Sequence, residues 1–365
     1  MKTNFILLVF FALFISSCND DRSEYTTIPT DKIEIGKALF KDTNLSNPIG
    51  QACASCHSPE NAFSDPNNTP ITQGAVANAF GNRNVPSLSY NVFAPSRYYN
   101  DVDGTYIGGL FLDGRSNSLQ EQFIHPILNP VEMNNSSIAE VANKIKNASY
   151  YTQIVSVYGA TNSDSELLTY VADALARYQK SSEVNSFTSK FDYASKGLVA
   201  YTEDEKKGLN IFKEKGKCAQ CHILDGDENT GKVLFTDFSY DNIGVPKNST
   251  NPFYNQPTSV NPLGANYVDL GIGAIVNQPE HNGKFKVPTL RNIAITGPYF
   301  HNGSFSTLKQ VIHFYNVRDL NTGEFGPPEY NQNVNTTELG DLKLTEAEEF
   351  QLEKFLLTLT DHYRK

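Results

Sequence analysis

Two copies of the pattern Cys-x-x-Cys-His carry the clearest chemistry in this sequence of 365 residues. Such a pattern attaches a c-type haem, because the two thiols form thioethers with the porphyrin and the adjacent histidine binds the iron. The sequence therefore predicts two covalently bound haem c groups and a redox function. The residues concerned are Cys53, Cys56 and His57 in the first copy and Cys218, Cys221 and His222 in the second.

The same cysteines allow two other interpretations. Four thiolates from the two pairs would make one tetrahedral zinc site, and each pair could instead close a structural disulfide. Neither interpretation explains why a histidine follows the second cysteine of both pairs. The haem interpretation accounts for all the residues that the two motifs share.

The N-terminus predicts an exported protein. Lys2 precedes an unbroken apolar run over residues 5–15 (FILLVFFALFI), which is too short to span a bilayer but suits the core of a signal peptide. Small residues then lead to Cys18, the one cysteine outside the two motifs. We therefore expect a lipoprotein-type signal peptide over residues 1–18, a lipid on Cys18 as the sole membrane attachment, and a flexible tether over 19–31. An ordinary signal peptide cleaved near Ser17 is the alternative, and either one places the protein in the periplasm or at the cell surface.

The charge balance narrows the class of partner. Forty acidic residues against thirty basic ones give a net charge of −10, which argues against nucleic acid and anionic membrane surfaces. An acidic surface would attract a redox protein with a basic docking face, but it also simply favours solubility. The sequence leaves the oligomeric state open.

The regular segments of the sequence are helical in pattern, and no strand repeat stands out. Capping boxes of Ser or Thr followed three residues later by Glu begin three of the segments. We expect helices over residues 31–40, 137–145, 163–179, 202–215 and 345–360. Gly-, Pro- and Asn-rich stretches predict long loops over residues 61–84, 91–109, 224–282 and 319–336. The pattern predicts an all-α protein with cytochrome c-like domains at 32–190 and 200–365, divided within residues 182–201.

The choice of second ligand for each haem iron is restricted. Methionine is the usual sixth ligand of electron-transfer cytochromes c, but Met133 is the sole methionine apart from Met1. At most one haem therefore has a methionine ligand. The histidines outside the two motifs are His125, His281, His301, His313 and His362.

Five short motifs resemble one family when taken together. They are residues 111–115 (FLDGR), 121–122 (EQ), 130–133 (PVEM), 287–292 (VPTLRN) and 298–303 (PYFHNG). The set resembles the bacterial dihaem cytochrome c peroxidase family, including its MauG-like enzymes, over about residues 32–360. The resemblance implies two all-α cytochrome c-like domains with a calcium ion between them, and it implies that Arg115 and Arg291 bind haem.

The resemblance makes the N-terminal haem, on His57, the one that reacts with peroxide. Many members block this haem with a distal histidine, but the matching position here is Val76, and no histidine occurs between His57 and His125. The haem is therefore expected to be five-coordinate. Glu132 matches the distal glutamate of the family, which moves protons, and Gln122 matches the distal glutamine. Without the resemblance, a solvated loop carboxylate and a helix-surface amide would be the ordinary interpretation of these two residues.

The second haem, on His222, is expected to differ from that of ordinary peroxidases. Its distal methionine is replaced by Tyr315, as in MauG-like proteins, and a phenolate favours higher oxidation states of iron. Two alternatives are that Tyr315 only packs in a helix and that His313 is the ligand. The tryptophan that the family usually has between the haems is Leu112 here, because the chain contains no tryptophan.

The family's calcium site uses one asparagine side chain and two backbone carbonyls. These correspond to Asn84, Thr296 and Pro298 in this sequence. Oxygen ligands of this kind suit calcium. Read without the resemblance, Asn84 indicates only a turn.

The sequence and the resemblance together predict an exported dihaem peroxidase. It would reduce hydrogen peroxide at the haem of His57, with electrons from a small redox protein or another donor passing through the haem of His222. One alternative is MauG-like oxidation of a partner protein. Another is a dihaem electron-transfer or sensor cytochrome without catalysis.

Overall fold

A computed structural model describes residues 30–227, 230–320 and 322–364 of the chain. The expected signal peptide, the lipid site at Cys18 and nearly all of the expected tether lie outside these residues. Among the described residues, no helix is both long enough and apolar enough to cross a membrane.

Thirteen α-helices, α1 to α13, form most of the regular structure of the described residues. The first seven are α1 (Thr30–Lys41), α2 (Cys53–Cys56), α3 (Leu119–Gln122), α4 (Ile124–Leu128), α5 (Ile138–Lys146), α6 (Tyr151–Tyr158) and α7 (Asp164–Gln179). The others are α8 (Lys190–Ser195), α9 (Glu203–Lys213), α10 (Ile272–Val276), α11 (Leu308–Val317), α12 (Thr322–Phe325) and α13 (Glu346–Leu357). All five helices expected from the sequence are present, and their ends lie within three residues of the expected ones.

The capping residues explain where the predicted helices begin. The Thr202 hydroxyl accepts a hydrogen bond from the backbone N–H of Glu205, and the Glu205 carboxylate accepts one from the backbone N–H of Thr202. Thr345 and Glu348 form the same reciprocal pair at α13. Such a pair satisfies two backbone donors that a helix N-terminus would otherwise leave without partners.

Two small antiparallel sheets modify the expectation of an all-α fold. Strand β1 (Tyr98–Asn100) pairs with β2 (Thr105–Ile107), within a stretch expected to be a loop. Strand β3 (Tyr240–Asp241) pairs with β4 (Phe285–Lys286), which lies far along the chain. Each strand has only two or three residues, too few for the alternating pattern by which a strand is recognised in a sequence.

The helices enclose two main hydrophobic cores. One contains residues between Ile35 and Val184, and the other contains residues between Phe191 and Leu359. Helix α1 packs on α7 in the first core, and α9 packs on α13 in the second. The last residue of the first core is Val184 and the first residue of the second is Phe191. The division into domains at 32–190 and 200–365 stays a prediction.

Each core uses a glycine where its two long helices cross. A Cβ atom at Gly36 of α1 would lie 2.0 Å from the carbonyl oxygen of Ala174. A Cβ atom at Gly208 of α9 would lie 2.0 Å from the carbonyl oxygen of Gln351. A glycine lies against a backbone carbonyl at both crossings, so the two halves repeat one helix arrangement.

The two halves also repeat the turn that leads into α3 and α11. An isolated antiparallel bridge spans six residues in each half, and a phenylalanine with positive φ follows the first bridge residue. A Ser or Thr side chain then caps the helix in both halves, two residues after the bridge. The bridges join Leu110 to Ser116 and Tyr299 to Phe305, and the caps are Ser118 and Thr307. Because of this repeat, each residue of α3 and α4 can be matched with the residue of α11 at the same distance from its helix cap.

Candidate active site

The first Cys-x-x-Cys-His motif forms a single helical turn. Cys53 and Cys56 begin and end α2, and the backbone N–H of His57 donates to the carbonyl oxygen of Cys53 at 2.9 Å. The His57 Nδ1 lies 3.0 Å from the carbonyl oxygen of Phe63, which leaves Nε2 as the nitrogen for a metal. Burial lowers the pKa of His57 to about 4 although carbonyl groups nearby oppose the shift, so the imidazole is neutral. A neutral imidazole with one free nitrogen fits an iron ligand.

The second motif repeats this geometry. The backbone N–H of His222 donates to the carbonyl oxygen of Cys218 at 2.9 Å. The His222 Nδ1 lies 2.8 Å from the carbonyl oxygen of Phe235, and burial lowers the pKa of His222 to about 4. Phe63 and Phe235 have φ angles of 58° and 55°, so the same unusual backbone conformation presents the carbonyl to each histidine. Both motifs are therefore built to hold the same kind of group.

The described residues do not support the zinc and disulfide interpretations. None of the four motif cysteines is in a disulfide. Cys53 packs against the first core, whereas Cys218 packs against the second. Within residues 30–227, 230–320 and 322–364, no cluster of three or more His, Cys, Asp or Glu side chains is placed to hold a metal ion. The four thiols therefore do not converge on one zinc ion, and two separate covalent haem sites remain.

One cavity of about 780 Å³ joins the two motifs, and we call it the main cavity. Both sets of cysteines and both motif histidines line it, together with many apolar side chains from the two cores. All the other site residues expected from the sequence line it too. They are Asn84, Arg115, Gln122, Glu132, Arg291, Thr296, Pro298 and Tyr315. The paired thiols, the neutral imidazoles and the apolar walls fit two porphyrins.

Glu132 lies in the part of the main cavity beside the first motif. It follows the turn after α4, and its carboxylate Oε1 accepts a hydrogen bond of 2.6 Å from Asn129 Nδ2. Burial raises the pKa of Glu132, while the Asn129 hydrogen bond and the charge of Arg115 oppose the rise. Burial, and after it the charge of Glu132, raise the pKa of the Cys56 thiol. The half-buried carboxylate is thus held in one orientation beside the haem site of His57, as a proton-transfer group requires.

The two arginines expected to bind haem differ in their surroundings. Arg115 Nη1 pairs with Asp113 Oδ2 at 2.8 Å, and its guanidinium lies 3.5 Å from the ring centre of Phe111. Arg291 is almost fully buried, and both of its terminal nitrogens contact the Asp192 carboxylate, at 2.9 and 3.0 Å. The nitrogens of Arg291 that would bind a haem carboxylate are therefore already paired with Asp192. Haem binding by Arg291 stays a prediction.

Tyr315 and His313 lie on α11 and face different surroundings. Tyr315 lines the main cavity, and burial together with the thiols of Cys221 and Cys218 raises its pKa. His313 instead places Nδ1 3.0 Å from a carboxylate oxygen of Glu349 and Nε2 3.4 Å from one of Glu324. Each ring nitrogen of His313 thus lies beside a carboxylate, so Tyr315 is the better candidate for the iron ligand.

Pro126 is a site residue that the sequence interpretation missed. It is the eighth residue after the cap Ser118, just as Tyr315 is the eighth residue after the cap Thr307. Pro126 and Tyr315 both line the main cavity. Because a proline side chain has no donor atom for iron, the position that supplies a tyrosine in one half supplies no ligand in the other. A comparison of the two halves by their caps would have revealed this signal in the sequence.

Asn84, the residue expected to bind calcium, is buried and firmly oriented. Its Nδ2 donates to the backbone carbonyls of Thr69 and Pro70, at 3.3 and 3.0 Å, so its Oδ1 points away from them. Its backbone N–H donates to the carbonyl oxygen of His301 at 2.7 Å, which ties it to the second half of the chain. An oriented amide oxygen fits a hard cation such as calcium.

The region between the two motifs contains Leu112 where the family usually has tryptophan. The carbonyl oxygen of Leu112 accepts a hydrogen bond of 2.9 Å from the backbone N–H of Lys286. Phe111 and Leu112 line the main cavity. Tyr99 and Tyr106 instead pack around the ring of His281 at the small sheet, 5.9 and 5.1 Å away between ring centres. Phe111 therefore lines the main cavity, whereas these two tyrosines do not.

The sequence is similar to a known protein family and to individual members of it. The sequence profile described as di-haem cytochrome c peroxidase matches residues 30–200. Methylamine utilization protein MauG of Paracoccus denitrificans (strain Pd 1222) is 35% identical over 347 residues, which are 90% of this chain and 88% of that protein. Cytochrome c551 peroxidase of Nitrosomonas europaea is 32% identical over 307 residues, which are 83% of this chain and 78% of that protein.

Solved structures extend the similarity to the fold. The diheme peroxidase BthA from Burkholderia thailandensis E264 superposes with a TM-score of 0.81 at 30% identity, over 92% of this chain and 86% of that one. A MauG-like protein associated with microbial copper homeostasis superposes with a TM-score of 0.70 at 27% identity, over 92% of this chain and 91% of that one. The similarity therefore covers both cores and both motifs.

Proposed function

Because the chain belongs to the di-haem cytochrome c peroxidase family and is a dihaem oxidoreductase, we propose that it reduces hydrogen peroxide to water at the haem of His57. Electrons from a small redox protein or another donor enter through the haem of His222. Two electrons and two protons convert one peroxide molecule into two water molecules. When bound, the haems supply iron that accepts and delivers these electrons.

The observation that carries the proposal is the placement of Glu132. This carboxylate is half-buried, has a raised pKa and is oriented by Asn129 in the part of the main cavity beside His57. Glu132 would take a proton from one peroxide oxygen and return it to the other, which leaves as water. The Gln122 amide, which lines the same cavity, orients the peroxide by hydrogen bonding. The proline at position 126 would offer no donor atom to an iron bound beside it.

The test of this role is the variant Glu132→Gln, which keeps the shape of the side chain but cannot accept the proton. We expect the rate constant for the reaction with peroxide to fall at least about a hundredfold, the usual contribution of a general acid–base group. Stopped-flow spectroscopy of the holoprotein measures it. The matched control is Glu203→Gln at an exposed ion pair on α9. Equal rates in the two variants would refute the role of Glu132.

A second candidate function is MauG-like oxidation of a partner protein. The identity of 35% to a MauG protein and the placement of Tyr315 in the main cavity favour it. A phenolate ligand stabilises oxidised iron, so the oxidising equivalents would persist longer than in an ordinary peroxidase. Adding reduced cytochrome c after one equivalent of peroxide separates the candidates. Rapid oxidation of the cytochrome supports the peroxidase, whereas a long-lived oxidised state that ignores the cytochrome supports the second function.

We propose that Asn84, together with the carbonyls of Thr296 and Pro298, holds one calcium ion. The hydrogen bond from the backbone N–H of Asn84 to the carbonyl oxygen of His301 supports this placement between the two halves.

We also propose that the mature protein is anchored in the periplasm or at the cell surface through a lipid on Cys18. The pattern of residues 5–18 is the support for this anchor.

A further inference from the structure

A second cavity of about 550 Å³ opens beside α3 and α4, and we call it the side cavity. Ile124, His125 and Leu128 line it on the helix side. Four more residues line both the side cavity and the main cavity, and these are Asn82, Arg83, Arg115 and Asn129. The two cavities are therefore separated by side chains that face both of them.

One of the residues that line both cavities contacts Glu132, the proton-transfer group of the proposed site. Asn129 lines the side cavity and also donates the 2.6 Å hydrogen bond to Glu132. Arg115 lines both cavities and lies 3.5 Å from the ring centre of Phe111. A path through the side cavity thus ends at the residues that surround Glu132.

His125 stands at the mouth of this path. Its side chain is exposed to solvent, and its ring packs edge-on against Phe111 with 5.4 Å between the ring centres. His125 and Arg115 thus both contact Phe111, and Asn129 contacts Glu132. Side chains move on faster timescales than backbone segments, so a wall of this composition can open for a small molecule.

We propose that the side cavity is the entrance by which peroxide reaches the haem of His57, with His125 at its mouth and Arg115 and Asn129 as its inner wall. The proposal rests on the proposed function for the identity of the substrate. Peroxide is small, uncharged and rich in hydrogen-bonding groups. The polar lining offers donors to such a molecule along the whole path, from the imidazole through the guanidinium to the amide.

The test changes the width of the mouth without touching the inner residues. His125→Trp should narrow it, and His125→Ala should widen it. His362→Trp is the matched control, because His362 is also exposed and lies outside both cavities. Stopped-flow spectroscopy of each holoprotein gives the second-order rate constants for hydrogen peroxide and for cyanide. Cyanide reports entry to an open haem independently of peroxide chemistry.

We expect His125→Trp to slow both reactions by about tenfold relative to His362→Trp, as narrowing an access gate does. His125→Ala should react at least as fast as the parent protein with both ligands. Rates in His125→Trp that match those of His362→Trp for both ligands would overturn the proposed entrance.

Cyanide also separates this proposal from the proposed function. If His125→Trp slows cyanide binding but the parent protein does not turn over peroxide, the entrance stands and the peroxidase function fails. If cyanide binds the haem of His57 equally fast in all variants while peroxide turnover proceeds, the function stands and the entrance fails.

Discussion

Two residues at equivalent positions distinguish the two proposed haem sites. Pro126 and Tyr315 occupy the same place after their helix caps and line the same cavity, but only tyrosine has an atom that can bind iron. The proposed division of labour between the haems therefore depends on a single position in a repeated element. Changing that position in either half should change the corresponding haem alone.

Adding a ligand at Pro126 tests the open face of the first haem. Pro126→His should convert the haem of His57 into a six-coordinate, low-spin form and slow its reaction with peroxide at least about tenfold, because the distal face would be blocked. Electron paramagnetic resonance of the resting ferric protein measures the spin state. Pro66→His, at an exposed proline outside the main cavity, is the control. A high-spin signal retained in Pro126→His would show that the two positions are not equivalent.

Removing the phenol at Tyr315 tests the second haem. Tyr315→Phe should change the optical spectrum of the haem of His222 alone and raise its reduction potential, because an anionic oxygen ligand favours oxidised iron. His313→Ala should leave both spectra unchanged, since Glu349 and Glu324 occupy the ring nitrogens of His313. The reverse outcome would assign the ligand to His313.

At the scale of helices, glycine at the two crossings decides how closely the long helices approach. The Cβ positions of Gly36 and Gly208 lie within 2.0 Å of a carbonyl oxygen on the facing helix, far inside normal contact distance. The helices therefore pack backbone against backbone in both cores. This close packing fixes α9 beside α13, next to the turn that carries Cys218.

Gly208→Ala should destabilise the protein, because the added methyl group forces α9 away from α13. We expect a loss of about 1–3 kcal/mol in the free energy of unfolding, the usual cost of overpacking. Urea unfolding of the holoprotein followed by circular dichroism measures it. Gly323→Ala in α12 is the control, since its Cβ would meet no other atom within 4 Å. A loss no larger than that of the control would contradict the tight crossing.

At the scale of the whole molecule, a largely buried arginine links the two halves. Arg83 contacts Asp113 at 2.6 Å in the first half and Asp269 at 2.7 Å in the second. Burial alone would raise the pKa of Asp269, but the charge and hydrogen bonds of Arg83 lower it to about 2. The two carboxylates are therefore charged at neutral pH and depend on Arg83 for compensation.

Arg83→Met should destabilise the protein strongly because it leaves two buried carboxylates without their partner. We expect a loss of about 3–5 kcal/mol at pH 7, as for other broken buried pairs. Because the folded pKa of Asp269 is depressed, its contribution is present above the unfolded value of 3.8 and is lost as pH falls toward about 2. The difference from the parent in urea unfolding should shrink over that range. Arg177→Met, at the more exposed pair with Asp173 within one helix, should cost less than about 1 kcal/mol.

Much of the local structure followed from the sequence because it depends on neighbouring residues. The capping residues Thr202 and Thr345 indicated where α9 and α13 begin, and the structure has both caps. The short strands β1 to β4 did not follow, because their partners across the sheet stabilise them more than their own residues do. The pairing of β3 with β4 depends on residues that are far apart in the chain.

The sequence by itself determined that this protein carries two haem c groups, because all the attaching residues of each motif lie within five consecutive positions. The tertiary structure alone decided how the two sites are connected and how they differ. The ion pairs of Arg83 with Asp113 and Asp269, the carboxylates around His313 and the shared wall of the two cavities join residues from separate segments. Contacts of this kind depend on how the helices pack, and no local pattern of residues specifies them.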